Sequence, residues 1–409
     1  MYNCLGIEIR NIIFSKLKRT TSWDHVIQAS EPPFSPTPYS SNSNEKSKYK
    51  ISPMQFNRLK LRKMKIYDIR ILFAYVALFQ TMISKCEPTL GFISGISNAF
   101  TLVKNWLLPK ELKIFLLIYT RKLNVPIKLN LPVQNASLVR EIISNEKQLV
   151  LIIHGFITDS EVQWTKDLTQ AYLKQRDATV GVVDWSSGSK TIAYFRAINK
   201  IPKVAAQLIS FIEYLVKKFH FKPQNIHIIG HSLGAHIAGN VGRGVPFMHR
   251  VTGLDPASLF SDDPLEAQLR KTDAEYVDVI HTNTILGSSE LFGSVDFYLN
   301  NCKPWPVGIQ PACNATMMQN IYYKILYNDC SHHIAIYYFI ESITNPDCLF
   351  VSSKTKERAS RVITEDFDPK QDSVLGFDTF KYNTRGKLHI VTNKYAPYCR
   401  KAPSETPCE

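Results

Sequence analysis

The chain has 409 residues, 44% of them hydrophobic and 21% charged, which excludes an intrinsically disordered protein and leaves room for a large buried core. Its net charge of +14 invites a nucleic-acid partner, but residues 1–85 carry +9 of that charge and residues 86–409 only +5. A mildly basic folded part lacks the concentrated footprint that phosphate-backbone binding uses, so no nucleic-acid partner is expected.

Residues 1–63 read as a disordered extension. The Pro-rich stretch from Glu31 to Ser41 and the polar run to Lys50 cannot bury enough apolar surface to fold. Residues 64–86 have the layout of a secretory signal peptide. Met64-Lys65 opens it, Arg70 adds charge, Ile71 to Ile83 is an apolar run of 13 residues, and Ser84 and Cys86 offer small side chains for a cut. The run falls short of the roughly 20 residues that span a bilayer, although a type II membrane anchor remains the alternative. Translation is therefore expected to start effectively at Met64, with residues 87–409 exported as the folded domain.

Six cysteines follow the cut: Cys302, Cys313, Cys330, Cys348, Cys399 and Cys408. An even count in an exported chain predicts disulfides, while the spacing leaves their pairing open. None has Cys-x-x-Cys spacing, so no zinc site and no cofactor are expected. The sequons at Asn135 and Asn314 predict N-glycosylation in the same extracellular compartment.

From about residue 124 the chain alternates strand-like and helix-like segments, the pattern of an α/β sheet. Leu149 to Ile153 predicts a buried strand that runs into His154-Gly155-Phe156, and Thr179 to Val183 a second that ends at Asp184-Trp185. Val204, Leu208, Phe211, Leu215 and Phe219 fall on one face of a helix. An apolar run from Asn225 then breaks at Gly230-x-Ser232-x-Gly234 and resumes as a helix rich in Ala and Gly. Strand, sharp turn and helix are the context in which this pentapeptide presents a nucleophilic serine. Arg250 to Leu254 predicts a strand ending at Asp255-Pro256, and Val277 to His281 another.

A serine hydroxyl is a poor nucleophile until an adjacent base takes its proton and an acid orients that base. Asp255 stands at a strand end after the serine, and His332 and His333 follow later, giving the order Ser…Asp…His used on α/β-hydrolase sheets. Oxyanion stabilisation is expected from the N–H of Leu233, after the serine, and from the N–H of Phe156 in the loop after the 149–153 strand.

Ile153-His154-Gly155-Phe156, Val183-Asp184-Trp185, Gly230 to His236, Gly253-Leu254-Asp255-Pro256-Ala257, and Cys330-Ser331-His332 with Glu341-Ser342-Ile343 occur in the order and approximate spacing of the pancreatic lipase family. The chain resembles that family over about residues 90–400. The resemblance implies an α/β-hydrolase fold, with a mostly parallel central sheet and helices on both faces. It implies Ser232 as nucleophile, Asp255 as acid and His332, two residues after the cysteine, as base. It further implies a Cys313–Cys330 disulfide closing a surface lid. The arginine usual two residues beyond that histidine is Ile334 here. No C-terminal β-sandwich domain, and hence no colipase contact, is expected.

Family members often bind calcium near residues 264–273. Only Asp273 remains clearly as a ligand, and Arg270 stands where a carboxylate belongs, so no structural calcium is expected. His154, His231 and His236 read as structural, and the remaining histidines as solvated or packed. Only 16 residues separate Cys313 from Cys330, and the loop between His281 and Asp296 is short as well. That combination resembles the phospholipase A1 branch. The lid residues Met317, Met318, Ile321, Tyr322, Tyr323, Ile325 and Leu326 would meet lipid or pack inward. The resemblance thus implies a secreted hydrolase of fatty-acyl esters working at a membrane or lipid-droplet interface. The expected substrate is the sn-1 ester of phospholipid, with neutral lipid as the alternative. A non-catalytic lipid-binding or yolk-type storage protein is a second class.

Overall fold

The computed structural model describes residues 111–401 apart from 124, 145–146, 192–193, 260–265, 301–309 and 314–320, and gives the backbone but not the side chains of 321–328. The extension over 1–63, the signal peptide over 64–86, Cys302, Asn314, the lid side chains from Met317 to Leu326, and Cys408 lie outside what is described.

In chain order the main elements are β1 (Ile114–Tyr119), β2 (Ile127–Leu131), α1 (Ala136–Ile142), β3 (Gln148–Ile153), α2 (Gln163–Gln175), β4 (Ala178–Asp184), α3 (Ile201–Phe219), β5 (Ile226–His231), α4 (Leu233–Gly244), β6 (Arg250–Leu254), β7 (Tyr276–His281), β8 (Val295–Leu299), α5 (Ile321–Thr344), β9 (Phe350–Ser353), α6 (Lys356–Arg361), β10 (Asp372–Leu375) and β11 (Gly386–Ile390). The strands form one sheet in the order β10-β9-β11-β8-β7-β6-β5-β3-β4-β1-β2. From β11 to β4 every neighbouring pair is parallel, while β1, β2, β9 and β10 add antiparallel margins.

The central strands β3 to β8 are buried at nearly every position because both faces of the sheet are covered. Side chains alternate across a strand, so Leu149, Leu151 and Ile153 of β3 enter one core and Val150 and Ile152 the other. The first core includes buried residues of α1, α3 and α4, and the second those of α2 and α5. In α3, Ile201, Val204, Ala205, Leu208, Phe211, Ile212 and Leu215 are buried at helical spacing. Each of the larger of these stabilises the fold by about 1.5–3 kcal/mol. His220, in the left-handed conformation (φ 54°), caps the helix and turns the chain toward β5.

Two disulfides join described cysteines, Cys313–Cys330 and Cys348–Cys399. The second closes the end of α5 onto the chain after β11, beside Glu341. The Glu341 carboxylate accepts the N–H groups of Tyr398 (2.9 Å) and Cys399 (2.8 Å).

The chain leaves β3 toward β4 and returns to β5 on β3's other side, so the loops after β3 and β5 diverge in opposite directions. That divergence opens a crevice at the carboxyl ends of the strands, where ligands of open α/β sheets bind.

Candidate active site

Ser232 is the single residue between β5 and α4 and has φ 58° and ψ −122°, a conformation that strains any residue with a Cβ. Two glycines make the turn possible. A Cβ on Gly230 would lie 2.2 Å from the Gly234 carbonyl oxygen, and one on Gly234 would lie 2.2 Å from that of Ile153. Helix α4 thereby starts against the end of β3, and the Ser232 side chain faces the crevice.

The β3 loop completes one wall. A Cβ on Gly155 would lie 2.7 Å from Ser232 Cβ and 3.2 Å from its Oγ, so the Gly155 backbone runs alongside the hydroxyl. His154 fixes this loop. Its Nδ1–H donates to the Gly155 carbonyl (3.0 Å), and its Nε2 accepts from Trp185 N–H (3.2 Å). The indole N–H of Trp185 in turn donates to the His154 carbonyl (2.8 Å). Burial pushes the His154 imidazole down to about 4, so it is neutral at pH 7. Beside it, Asp184 accepts from Ser160 N–H and Oγ–H and from Ser186 N–H, anchoring the loops after β3 and β4. Leu233 is the first residue of α4, where N–H groups have no intrahelical acceptor. The two N–H groups expected to hold an oxyanion thus belong to backbone on either side of Ser232.

Asp255 follows β6, the neighbour of β5, at the level of Ser232, whose N–H donates to the Leu254 carbonyl (3.1 Å). Its carboxylate is fully buried and fully engaged. Oδ1 accepts from the N–H groups of Thr282 (2.8 Å) and Asn283 (3.0 Å), and Oδ2 from Nδ1–H of His332 (2.6 Å). A charge-assisted bond this short fixes both the ring and its tautomer, leaving Nε2 as the lone-pair nitrogen. Among the described residues Ser232 Oγ and His332 do not hydrogen-bond to each other, a contact that often tightens only around substrate. His333 turns away. It bonds to the Asp329 carbonyl (2.9 Å) and lies 3.4 Å from its carboxylate. Burial works against its charge, but Asp329 outweighs burial and raises the His333 pKa.

His231 and His236 support the site from within the fold. His231 Nε2–H donates to the His332 carbonyl (3.1 Å), and the two rings stand 4.6 Å apart. His236 donates to the Ala257 carbonyl (2.8 Å) and accepts from Leu269 N–H (3.1 Å). Burial lowers both, His236 to about 4.

Sequence reasoning did not single out Thr282, Asn283 or Gly287. The first two act through backbone N–H groups, which carry no residue-type signal. Gly287 has one weak signal, a glycine in a short loop, and a Cβ there would lie 2.5 Å from Asp255 Oδ2. In the loop where family members often bind calcium, Asp273 is taken by Arg243, with Nε and Nη2 at 2.9 and 3.0 Å. No cluster of three or more His, Cys, Asp or Glu residues suited to a metal ion occurs among the described residues. No helix among them is long and apolar enough to cross a membrane. Asn135 is exposed, and its Oδ1 caps α1 by accepting from Leu138 N–H (3.1 Å).

A family model described as Lipase matches residues 93–397. The chain belongs to the lipase family. Pancreatic lipase-related protein 3 of Homo sapiens is 38% identical over 207 residues, spanning 48% of this chain and 43% of the relative. Phospholipase A1 of Vespa velutina is 31% identical over 266 residues, spanning 62% and 82%. Inactive pancreatic lipase-related protein 1 of Canis lupus familiaris is 32% identical over 249 residues, spanning 58% and 53%. This lipase-family chain spans about half the length of the pancreatic lipase-related proteins it matches and most of the wasp protein.

Proposed function

We propose that the protein is a secreted serine carboxylester hydrolase with the phospholipase A1 reaction, cleaving the sn-1 fatty-acyl ester of phospholipid at a lipid surface. The observation that carries the reading is the buried Asp255–His332 pair at the same sheet edge as the strained Ser232. Ser232 Oγ attacks the acyl carbon while His332 Nε2 takes its proton, and Asp255 orients and stabilises the imidazolium. The N–H groups of Phe156 and Leu233 bind the oxyanion. The imidazolium then protonates the departing lysolipid, and water, activated by the same ring, releases the fatty acid.

Phospholipid is favoured over triacylglycerol by two features. The match extends over most of the length of the wasp phospholipase A1, and the loop between β7 and β8 and the Cys313–Cys330 segment are both short. Disulfides support an oxidising, extracellular compartment. A non-catalytic lipid-binding role is the second reading, favoured by relatives named as inactive.

The test is the full chain expressed through a secretory host beside Ser232→Ala, each given phosphatidylcholine vesicles and a triolein emulsion. Lysolipid lacking the sn-1 chain, absent with the alanine variant, supports the proposal. Fatty acid from triolein alone replaces phospholipid by neutral lipid as substrate. A folded protein silent on both, and unlabelled by a fluorophosphonate, supports the binding role.

A further inference from the structure

Gln310 is fully buried where the carboxyl ends of β7 and β8 meet α5. Its carboxamide can make four hydrogen bonds, and it makes four with described residues. Nε2–H donates to the carbonyls of Thr282 (2.8 Å) and Leu299 (3.0 Å). Oε1 accepts from Asn300 Nδ2–H (2.8 Å) and from the hydroxyl of Tyr338 in α5 (3.2 Å). Its backbone continues the junction. The N–H donates to Ser331 Oγ (3.4 Å), and the carbonyl accepts from Cys313 N–H (2.9 Å).

Two of these partners adjoin the candidate catalytic pair. Thr282 gives its own N–H to Asp255 Oδ1, and Ser331 precedes His332, whose ring donates to Asp255 Oδ2. Gln310 therefore grips the support of the acid with its side chain and the neighbour of the base with its backbone. Asp255 is held from the sheet and His332 from α5, and two side chains bridge those elements: His231 of β5, which bonds to the His332 carbonyl, and Gln310, which joins Thr282 and Leu299 to Tyr338 of α5. A fully bonded buried amide does so with fixed directions that an apolar side chain lacks.

We propose that Gln310 is a positioning residue that sets the Asp255–His332 geometry by fixing Thr282 of the β7 loop against Ser331 of α5. The rate readout rests on the hydrolase reading above, whereas the geometric readout does not. Near-attack geometry tolerates little displacement, so loss of the four bonds should slow the chemical step far more than it weakens substrate binding.

The experiment compares full-length wild type, Gln310→Met, which keeps the length of the side chain, and Tyr338→Phe, which removes one of the four bonds. Tyr172→Phe is the control, since it removes a buried hydrogen bond to His227 of β5 instead. Each is measured for kcat and KM on a soluble short-chain ester, for Tm, and for the downfield proton resonance of His332 Nδ1–H, assigned by its loss in His332→Gln. Gln310→Met is expected to lower kcat about thirtyfold or more with KM within about twofold, and to shift or broaden the resonance. Tyr338→Phe should lower kcat about threefold, and Tyr172→Phe should lower Tm with kcat within about twofold. The proposal is overturned if Gln310→Met keeps both kcat and the resonance, or if Tyr172→Phe loses as much kcat for the same loss of Tm. Should Gln310→Met fail to fold, an unchanged kcat and resonance in Tyr338→Phe overturns it. An inactive wild type defeats the hydrolase reading alone, because a resonance that Gln310→Met leaves in place or shifts still decides the geometry.

Discussion

Ser232 is held in a conformation that costs it stability. At φ 58° and ψ −122°, Ser232→Gly should relieve strain that Ser232→Ala retains. The glycine variant is expected to be more stable than the alanine variant by about 1 kcal/mol, seen as a higher Tm, and a lower Tm would contradict the strain account. Gly287 offers a sharper test, because its Cβ position lies 2.5 Å from Asp255 Oδ2 and 2.4 Å from the Asn283 carbonyl oxygen. Gly287→Ala must push the carboxylate or its cradle, and is expected to cut kcat at least tenfold in the ester assay. An unaffected kcat would mean that the loop yields without moving Asp255. The serine, the aspartate and a histidine pair were legible because chain order and the Gly-x-Ser-x-Gly turn restrict them. The choice between His332 and His333 was not decidable from local chemistry. Consecutive helical residues point about 100° apart, and only the packing of α5 decides which ring meets Asp255.

At the level of elements, strands β3 to β7 were legible from their hydrophobic runs and turn residues and the Ser232 helix as a stripe of small residues, whereas the parallel strand β8 was not. The margins were not: β1, β2, β9 and β10 pair antiparallel, and their place depends on contacts far along the chain. The Cys348–Cys399 pairing was equally hidden, since spacing cannot choose partners. Glu341 shows what brings them together, because its carboxylate collects the two amides beside Cys399 while α5 carries the chain to Cys348. Closing a loop of 51 residues stabilises the fold by about 4 kcal/mol in the chain-entropy account. The double variant Cys348→Ser, Cys399→Ser should therefore lose about that much in denaturant titration, and a loss under about 1 kcal/mol would show that Glu341 alone suffices.

For the whole molecule, buried neutral histidines set the acid limit. Burial lowers His154 and His236 to about 4, and His231 falls well below its usual value. Unfolding exposes rings that take up protons below about pH 6.5, so the unfolded state binds more protons through the window from about 6.5 to 4. Stability is full above that window and falls by up to about 1.4 kcal/mol per pH unit for each histidine as pH drops through it. His333 has the opposite sign. Its raised pKa contributes stability that is present below about 6.5 and lost as pH rises through its folded value. Asp184, whose pKa is lowered because hydrogen bonds from Ser186 and Ser160 outweigh burial, adds a loss only below about 4. Denaturant midpoints from pH 7 to 4 should fall steadily, and His236→Gln, whose amide can both donate to Ala257 and accept from Leu269, should flatten the slope by one proton. An unchanged slope would mean that His236 is not neutral in the fold. The order of the sheet also bears on association. Its outermost described strands are β2, five residues long and followed by Pro132, and β10, four residues long with Asp372 gripped by Arg358. Strands this short, stopped by proline or carrying an inward charge, are poor templates for zipping onto another chain, so high local concentration of copies does not recruit them into fibres through these edges.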